Sequence, residues 1–300
     1  MAVPSQETFM LRNSAGREIS LSGPAVYVIE HDGLGEPETR EAIEQGPYQD
    51  GQTLTGEQLE RRVITLKLLI SADEELLEAH TDEFHKMFNQ LGRSYWLDVT
   101  RKDGEVRRLD VRRKAGLSLP RKAGDPYGQL IDVIQLVADD PIAYNTDIQL
   151  VVFALGGGGT GTPVPTLIPM SVGASAIDMT LPITYAGTWR AFPIIRFYGP
   201  LTDPILTNVT TGEKLSFSGV TIADGDWYEV DCRYGYKTVV DDGGNNKLAD
   251  LATDSALATF HIAPEDEAVG GINEFHLTAT SVNMNSKVNV QYQNRYLGVL

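Results

Sequence analysis

The residues in this chain that could do chemistry are few, and their spacing does not suit it. His80 and His85 lie five positions apart in a helical segment, which puts them on different faces, whereas a helical metal pair needs neighbours three or four positions apart. Asp224 with Asp226, and Glu265-Asp266-Glu267, could hold calcium weakly, but neither spacing matches a calcium loop. His261 and His276 flank strands and would join a Ser-His-Asp set only by coincidence. Gly156-Gly157-Gly158-Gly159 is not followed by the Lys-Ser or Lys-Thr of a phosphate loop. With 41 acids, some pair of carboxylates can always be drawn across a cleft, so their presence decides nothing. The single cysteine, Cys232, excludes an intrachain disulfide and reads as an inert core thiol. Asn208-Val209-Thr210 is formally a glycosylation site but carries no weight without secretion. The expectation is a protein with no enzymatic activity, no cofactor and no bound metal.

Charge and aromatics leave two other candidates. The chain carries a net charge of −16, which argues against general or sequence-specific nucleic-acid binding. Acids crowd residues 30–60, among them Glu36, Glu38, Glu41 and Glu44, and bases crowd residues 93–122, with Arg107, Arg108, Arg112, Arg113 and Lys114. Two readings stand: two solvated faces of one domain, or opposite patches that meet between neighbouring copies, where complementary fields set register. On the second reading Glu36, Glu38, Glu41, Arg107, Arg108, Arg112 and Arg113 are the interface. Trp227, Tyr228, Tyr234 and Tyr236 form the other candidate, a platform for stacking against a glycan, although packing is the plainer use of such rings.

The elements that must carry these residues fall on either side of Gly156–Pro165. Four consecutive glycines resist ordering in any strand or helix, and the Pro163-Val164-Pro165 that follows is a stiff spacer. The expected organisation is a domain over 1–155, a linker over 156–165 and a second domain over 166–300. In the first, Phe9–Leu21 reads as strand, turn and strand about Asn13-Ser14-Ala15-Gly16. Residues 33–60 read as a long, acidic, irregular loop, of a length that is usually functional or partner-bound. Arg62–Ile70 alternates as a firm strand. A helix is expected over 72–91, with a Ser71/Glu74 capping box, an apolar stripe of Leu77, Phe84, Phe88 and Leu91, and Gly92 as its stop. Ser94–Thr100 and Val106–Arg113 make a hairpin, and Leu130–Val137 a last strand. Beyond the linker, turns at Thr210–Glu213, Asp224–Asp226 and Asp241–Asn246 separate short strands, Tyr234–Val240 among them, at the spacing of an antiparallel β-sandwich. The fold class is mainly β, with an α+β first domain in which one main helix lies on a sheet or split barrel. No stretch approaches the ~18 apolar residues of a membrane span. The opening residues do not read as a signal peptide, and one cysteine suits folding in a reducing cytoplasm.

Several stretches carry a family likeness. Asp32-Gly33-Leu34-Gly35, Gln49-Asp50-Gly51, Arg61–Leu66 and Ala138-Asp139-Asp140-Pro141-Ile142-Ala143-Tyr144 occur in order in the first half. Gly199–Asn208, Thr210-Thr211-Gly212, Gly225–Asp231, the Asp242-Gly243 turn and Val290–Leu297 follow in the second. In this order and spacing the chain resembles the distal tail proteins of long-tailed bacteriophages with flexible tails, over nearly its whole length. The resemblance implies a galectin-like second domain and a first domain that assembles six copies into a ring at the tail tip, open for DNA. It also implies a virion location, assembly in the host bacterial cytoplasm, and the tail tube, tape-measure and tail-associated hub proteins as partners. The segment from Gly156 to Tyr185 and the acidic stretch at 33–60 are longer than a minimal member needs. The alternative carried beside it is a module that binds host glycans through the second domain.

Overall fold

The computed structural model describes residues 7–71, 74–89, 94–115, 129–154, 159–160 and 176–300. They fall into two compact units, Met1–Thr146 with Tyr296–Leu300, and Asp147–Arg295. Most of the Gly156–Pro165 linker, together with Leu91 and Gly92, lies outside the described residues, as do the side chains of the Ser71/Glu74 capping pair.

The described residues of the first unit form the strands β1 (Thr8–Asn13), β2 (Glu18–Ser20), β3 (Val26–Asp32), β4 (Thr39–Glu44), β5 (Thr53–Leu59), β6 (Arg62–Ser71), β7 (Tyr95–Thr100), β8 (Val106–Arg113), β9 (Gln129–Ala138) and β10 (Ala143–Asn145). Eight of them share one antiparallel sheet whose path runs β2-β1-β7-β8-β9-β6-β3, with β10 on β8. The two ends of that path meet: Ser22 bridges Tyr27, and the Val28 N–H donates to the Leu21 carbonyl at 2.9 Å. The sheet therefore curls towards a split barrel, which leaves few edges unpaired. Alternation drives this, since Ile64, Leu66, Leu68 and Ile70 of β6 face Ile134, Leu136, Leu97 and Leu109 inside. Helix α1 (Glu74–Met87) closes the interior with Leu77, Phe84 and Met87, and Phe88 just beyond it meets Tyr95 edge to face at 5.1 Å. The Asn13 side chain holds the β1–β2 turn by accepting from the Ala15 and Arg17 amides, both at 3.0 Å.

Strands β4 and β5 stand apart. Residues 33–60 read from sequence as an irregular loop, whereas among the described residues these two strands pair with each other alone, as a two-stranded ribbon. The ribbon buries nothing, so it left no apolar periodicity to read. Its reversal is built locally, with Tyr48 and Gly51 at φ +69° and +83° and the Gly46 amide donating to Gln49 Oε1 at 2.9 Å.

The second unit is a sandwich of two antiparallel sheets. One runs β12-β11-β21-β14-β18-β19, built from β11 (Gln149–Ala154), β12 (Gly159–Thr160), β14 (Ile194–Tyr198), β18 (Trp227–Asp231), β19 (Thr238–Asp241) and β21 (Lys287–Tyr292). The other holds β13 (Ala176–Thr184), β15 (Leu201–Asn208), β16 (Glu213–Ser216), β17 (Thr221–Ile222) and β20 (Ile272–Thr280). Phe153, Phe197, Phe217, Phe260 and Phe275 fill the space between. The expected strand Tyr234–Val240 is shorter than read, because Gly235 and Lys237 take φ +82° and +49° and turn the chain before β19. Asn208 and Asn273 are fully buried and satisfy each other and the His261 and Ala263 carbonyls, at 2.9–3.2 Å. The formal glycosylation asparagine is thus a core hydrogen-bonding residue.

Candidate assembly surface and the arginine clasp

Four of the stretches that carried the family likeness converge on one side chain. Arg62 opens β6 on the parity of the core residues and is 2% exposed. Its Nε donates to the Pro141 carbonyl at 3.0 Å, Nη1 to those of Gly33 and Gly35 at 2.9 and 2.5 Å, and Nη2 to that of Leu297 at 2.7 Å. Among the described residues no carboxylate pairs with it, and burial pulls its pKa below the ordinary arginine value. A planar fork of five donors suits four carbonyls converging from different directions, and an ammonium does not. Gly33 is there because nothing larger fits: at φ +81°, a Cβ would stand 2.0 Å from the Val63 carbonyl oxygen.

A second arginine sits beside the same C-terminal segment. Arg107 shares the inward parity of Leu109 and Val111, donates to the Gly298 carbonyl at 2.9 Å and lies 3.8 Å from the Tyr296 ring centroid. Glu105 accepts from Arg107 and Arg101 at 3.0 and 3.1 Å, and from the Tyr296 hydroxyl. Burial alone raises the Glu105 pKa, but the Tyr296 hydrogen bond and the two arginines outweigh it and hold the carboxyl below its usual range. The Val299 amide donates to the Leu34 carbonyl at 3.0 Å, and both side chains belong to the barrel core.

The remaining interface candidates separate by location. Glu36, Glu38 and Glu41 are exposed, the first two at the root of the β4–β5 ribbon and the third within it. Arg107 and Arg108 are committed inside their own unit, Arg108 through a bidentate pair with the buried Asp98 at 2.6 and 2.8 Å. That pairing outweighs burial, which acts the other way, and raises the Arg108 pKa. Arg112 pairs with Asp139 at the surface, and Arg113 lies over the Phe88 ring. The four arginines expected to meet a neighbour's acids do not form one free basic patch within the unit.

Nor do the four aromatics of the second unit form a single face. Arg196 lies 4.3 Å from the Trp227 ring centroid on the outside of the sheet. Tyr228 packs on Phe217 and donates to Asp250 at 3.0 Å, while Tyr234 and Tyr236 project from the turn that precedes β19. His261 lies between Glu213 and Glu267, and His276 pairs with Asp178 at 2.8 Å. Among the described residues, no three His, Cys, Asp or Glu side chains are grouped to hold a metal, and no helix is long and apolar enough to cross a membrane. Cys232 is fully buried, and burial pushes its thiol pKa up to about 12.

What sequence reading missed is the ribbon, Arg62, Glu105 and the Tyr296–Val299 segment. The one available signal was an arginine at core parity in β6, since a buried cation must find partners.

An antiparallel barrel with a helix, in one chain with an antiparallel sandwich, is a fold shared with a phage protein of known structure. The crystal structure of the Dit protein (gp 19.1) of phage SPP1, described as a paradigm of the hub adsorption apparatus in phages infecting Gram-positive bacteria, matches with a TM-score of 0.62. The match covers 96% of this chain and 98% of that one at 14% identity, so the likeness is one of fold. Structures of the phage P2 baseplate in its activated conformation, with calcium and with strontium, match over 95% of this chain and 97% of theirs, at 9% identity and a TM-score of 0.45. No protein-family model and no curated protein matches the sequence.

Proposed function

We propose that this chain is a structural component of a phage tail tip, six copies of which close into a ring between the tail tube and the tail-tip hub. The ring leaves a central passage for DNA, and its neighbours are the tail tube, tape-measure and tail-associated hub proteins. The chain has no enzymatic role.

The observation that carries this reading is the state of the β4–β5 ribbon. A two-stranded ribbon is marginal by itself in water. This one also sets Glu41 directly opposite Glu57, an unfavourable like-charge pair. It exposes Ile43 and Leu54, 48% and 52% accessible and paired across the strands, and leaves Tyr48 fully exposed at its tip. A partner surface that is apolar and basic relieves both defects. The outer face of β3, β6 and β9 offers the apolar part, with Ile29, Val63, Ile131 and Val133 exposed, and Arg61 stands at its edge, while Lys67 on the same face is already paired with Glu30 at 3.1 Å. Two different patches on one chain make a heterologous contact, which generates a closed ring when the rotation closes. The ribbon of one copy lies on this face of the next.

Negative-stain imaging of the purified full chain tests the proposal. Rings with an open centre and six-fold symmetry are expected. A field of separate monomers at every concentration and ionic strength contradicts it.

A further inference from the structure

We infer that the segment Tyr296–Val299 is a strap that sets the direction of the β4–β5 arm, with Arg62 as the positioning residue that joins strap to arm. The inference concerns the arm within one copy and does not depend on the ring.

The geometry places the arm between two short roots. Its outgoing root, Gly33–Glu38, contributes the carbonyls of Gly33 and Gly35 to Arg62 and that of Leu34 to the Val299 amide. Its returning root, Leu59–Glu60, runs straight into Arg62 and closes on the outgoing one through the Glu60 amide and the Glu38 carbonyl at 2.7 Å. Nothing in the arm beyond these roots reaches the barrel core. The arm's direction is therefore fixed by what holds residues 33–38, and the strap enters twice, directly through the Val299 amide on the Leu34 carbonyl and indirectly through Arg62, which binds Leu297.

The strap is itself held from two sides. Arg62 takes its Leu297 carbonyl, and Arg107 takes its Gly298 carbonyl while stacking on Tyr296. One guanidinium thus binds the arm root, the β9–β10 link at Pro141 and the strap together. Because all four acceptors are backbone carbonyls, no charged partner competes for Arg62, and its fork geometry fixes the three segments relative to one another. Lysine keeps the charge but, with three donors on a point charge, cannot serve four diverging acceptors. Loss of the strap removes one Arg62 acceptor, the Val299–Leu34 bond and the Val299 side chain, and leaves the outgoing root held by the remaining Arg62 contacts. The consequence is an arm that swings, in a barrel whose core strands are intact.

Amide hydrogen exchange reads this directly. The measurement uses the full chain carrying Ile43→Asp and Leu54→Asp as a non-assembling background, so that protection by a neighbouring copy does not enter. Into it are placed Arg62→Lys, Val299→Pro, which removes the strap's donor to Leu34, and removal of residues 296–300. Exchange at the returning-root amides of Leu59 and Glu60, the second of which donates to the Glu38 carbonyl, is expected to rise about tenfold or more in each, with β7 and β9 amides unchanged. Unchanged exchange at 59–60 in Arg62→Lys and Val299→Pro overturns the inference. An equal rise across β7, β9 and the roots also overturns it, because the contacts then hold the barrel together and do not position the arm. If removal of 296–300 unfolds the unit, the two point variants decide. A synthetic peptide of residues 294–300, added to a folded truncated chain, is expected to restore protection at 59–60, and a failure to do so counts against the strap.

Discussion

Two hairpins of the first unit, β4–β5 and β7–β8, are alike in length and richness in charge, and they meet opposite fates. In β7–β8 the side chains alternate between core and surface, and each inward or half-buried charge has a partner in its own unit: Arg107 with Glu105, Arg108 with Asp98. In β4–β5 both faces are exposed, acids stand opposite each other, and the apolar residues meet only solvent. Charge density is therefore no guide to an assembly surface. A charged hairpin that has solved its electrostatics internally has nothing left for a partner, whereas one that carries an uncompensated like-charge pair and unburied apolar area calls for one.

The comparison can be broken first where the internal pairing is tightest. Arg108→Glu sets a second anion against the buried Asp98 and is expected to cost the first unit roughly 3–5 kcal/mol, visible as loss of its transition in thermal unfolding. A negligible shift would place Arg108 with the arm residues as a free surface charge. Phe84→Ala removes a ring that is 1% exposed beneath the helix, with an expected cost of about 3–5 kcal/mol in the same measurement.

Acid probes the Glu105 cluster. Its pKa is lower in the folded chain than in the unfolded one, where it sits near 4.3. The stability it supplies is therefore complete above the unfolded value and is lost as pH falls through the folded one. Urea midpoints of the first unit should drop more steeply below about pH 4 in the parent chain than in Glu105→Gln. Equal slopes would remove Glu105 from the account. The smallest folding effect belongs to the arm: at protein concentrations where both chains are monomeric, Ile43→Asp with Leu54→Asp should change the unfolding free energy of the first unit by no more than ~0.5 kcal/mol, as expected for exposed positions. In the second unit, Cys232 should resist thiol reagents until the sandwich unfolds.

Most of the barrel was legible in the chain because burial imposes period. Ile64, Leu66, Leu68 and Ile70 announce β6, and Leu77, Phe84 and Phe88 announce the helix, which the structure ends at Met87. The arm was illegible for the converse reason, since a ribbon with no buried face has no apolar alternation. Tyr234–Val240 misled in another way: its β-rich composition suggests a strand throughout, but Gly235 turns the first half. Strands β11, β13 and β14 went unread beside the glycine- and proline-rich segment. The clasp left almost no trace, because Arg62 binds backbone carbonyls, and backbone acceptors are the same whatever the residue. Only the family likeness had marked Gly33, Arg62, Pro141 and Leu297, with no physical reason for their company.

If the arm drives closure of a ring, solution mass by light scattering reports it. The full chain is measured beside the Ile43→Asp, Leu54→Asp chain, with residues 296–300 kept in both, since a fragment ending at 155 lacks the strap. A mass near six times 32.8 kDa for the first and 32.8 kDa for the second is the expected result. Equal masses for the two chains, whether monomer or oligomer, would contradict it.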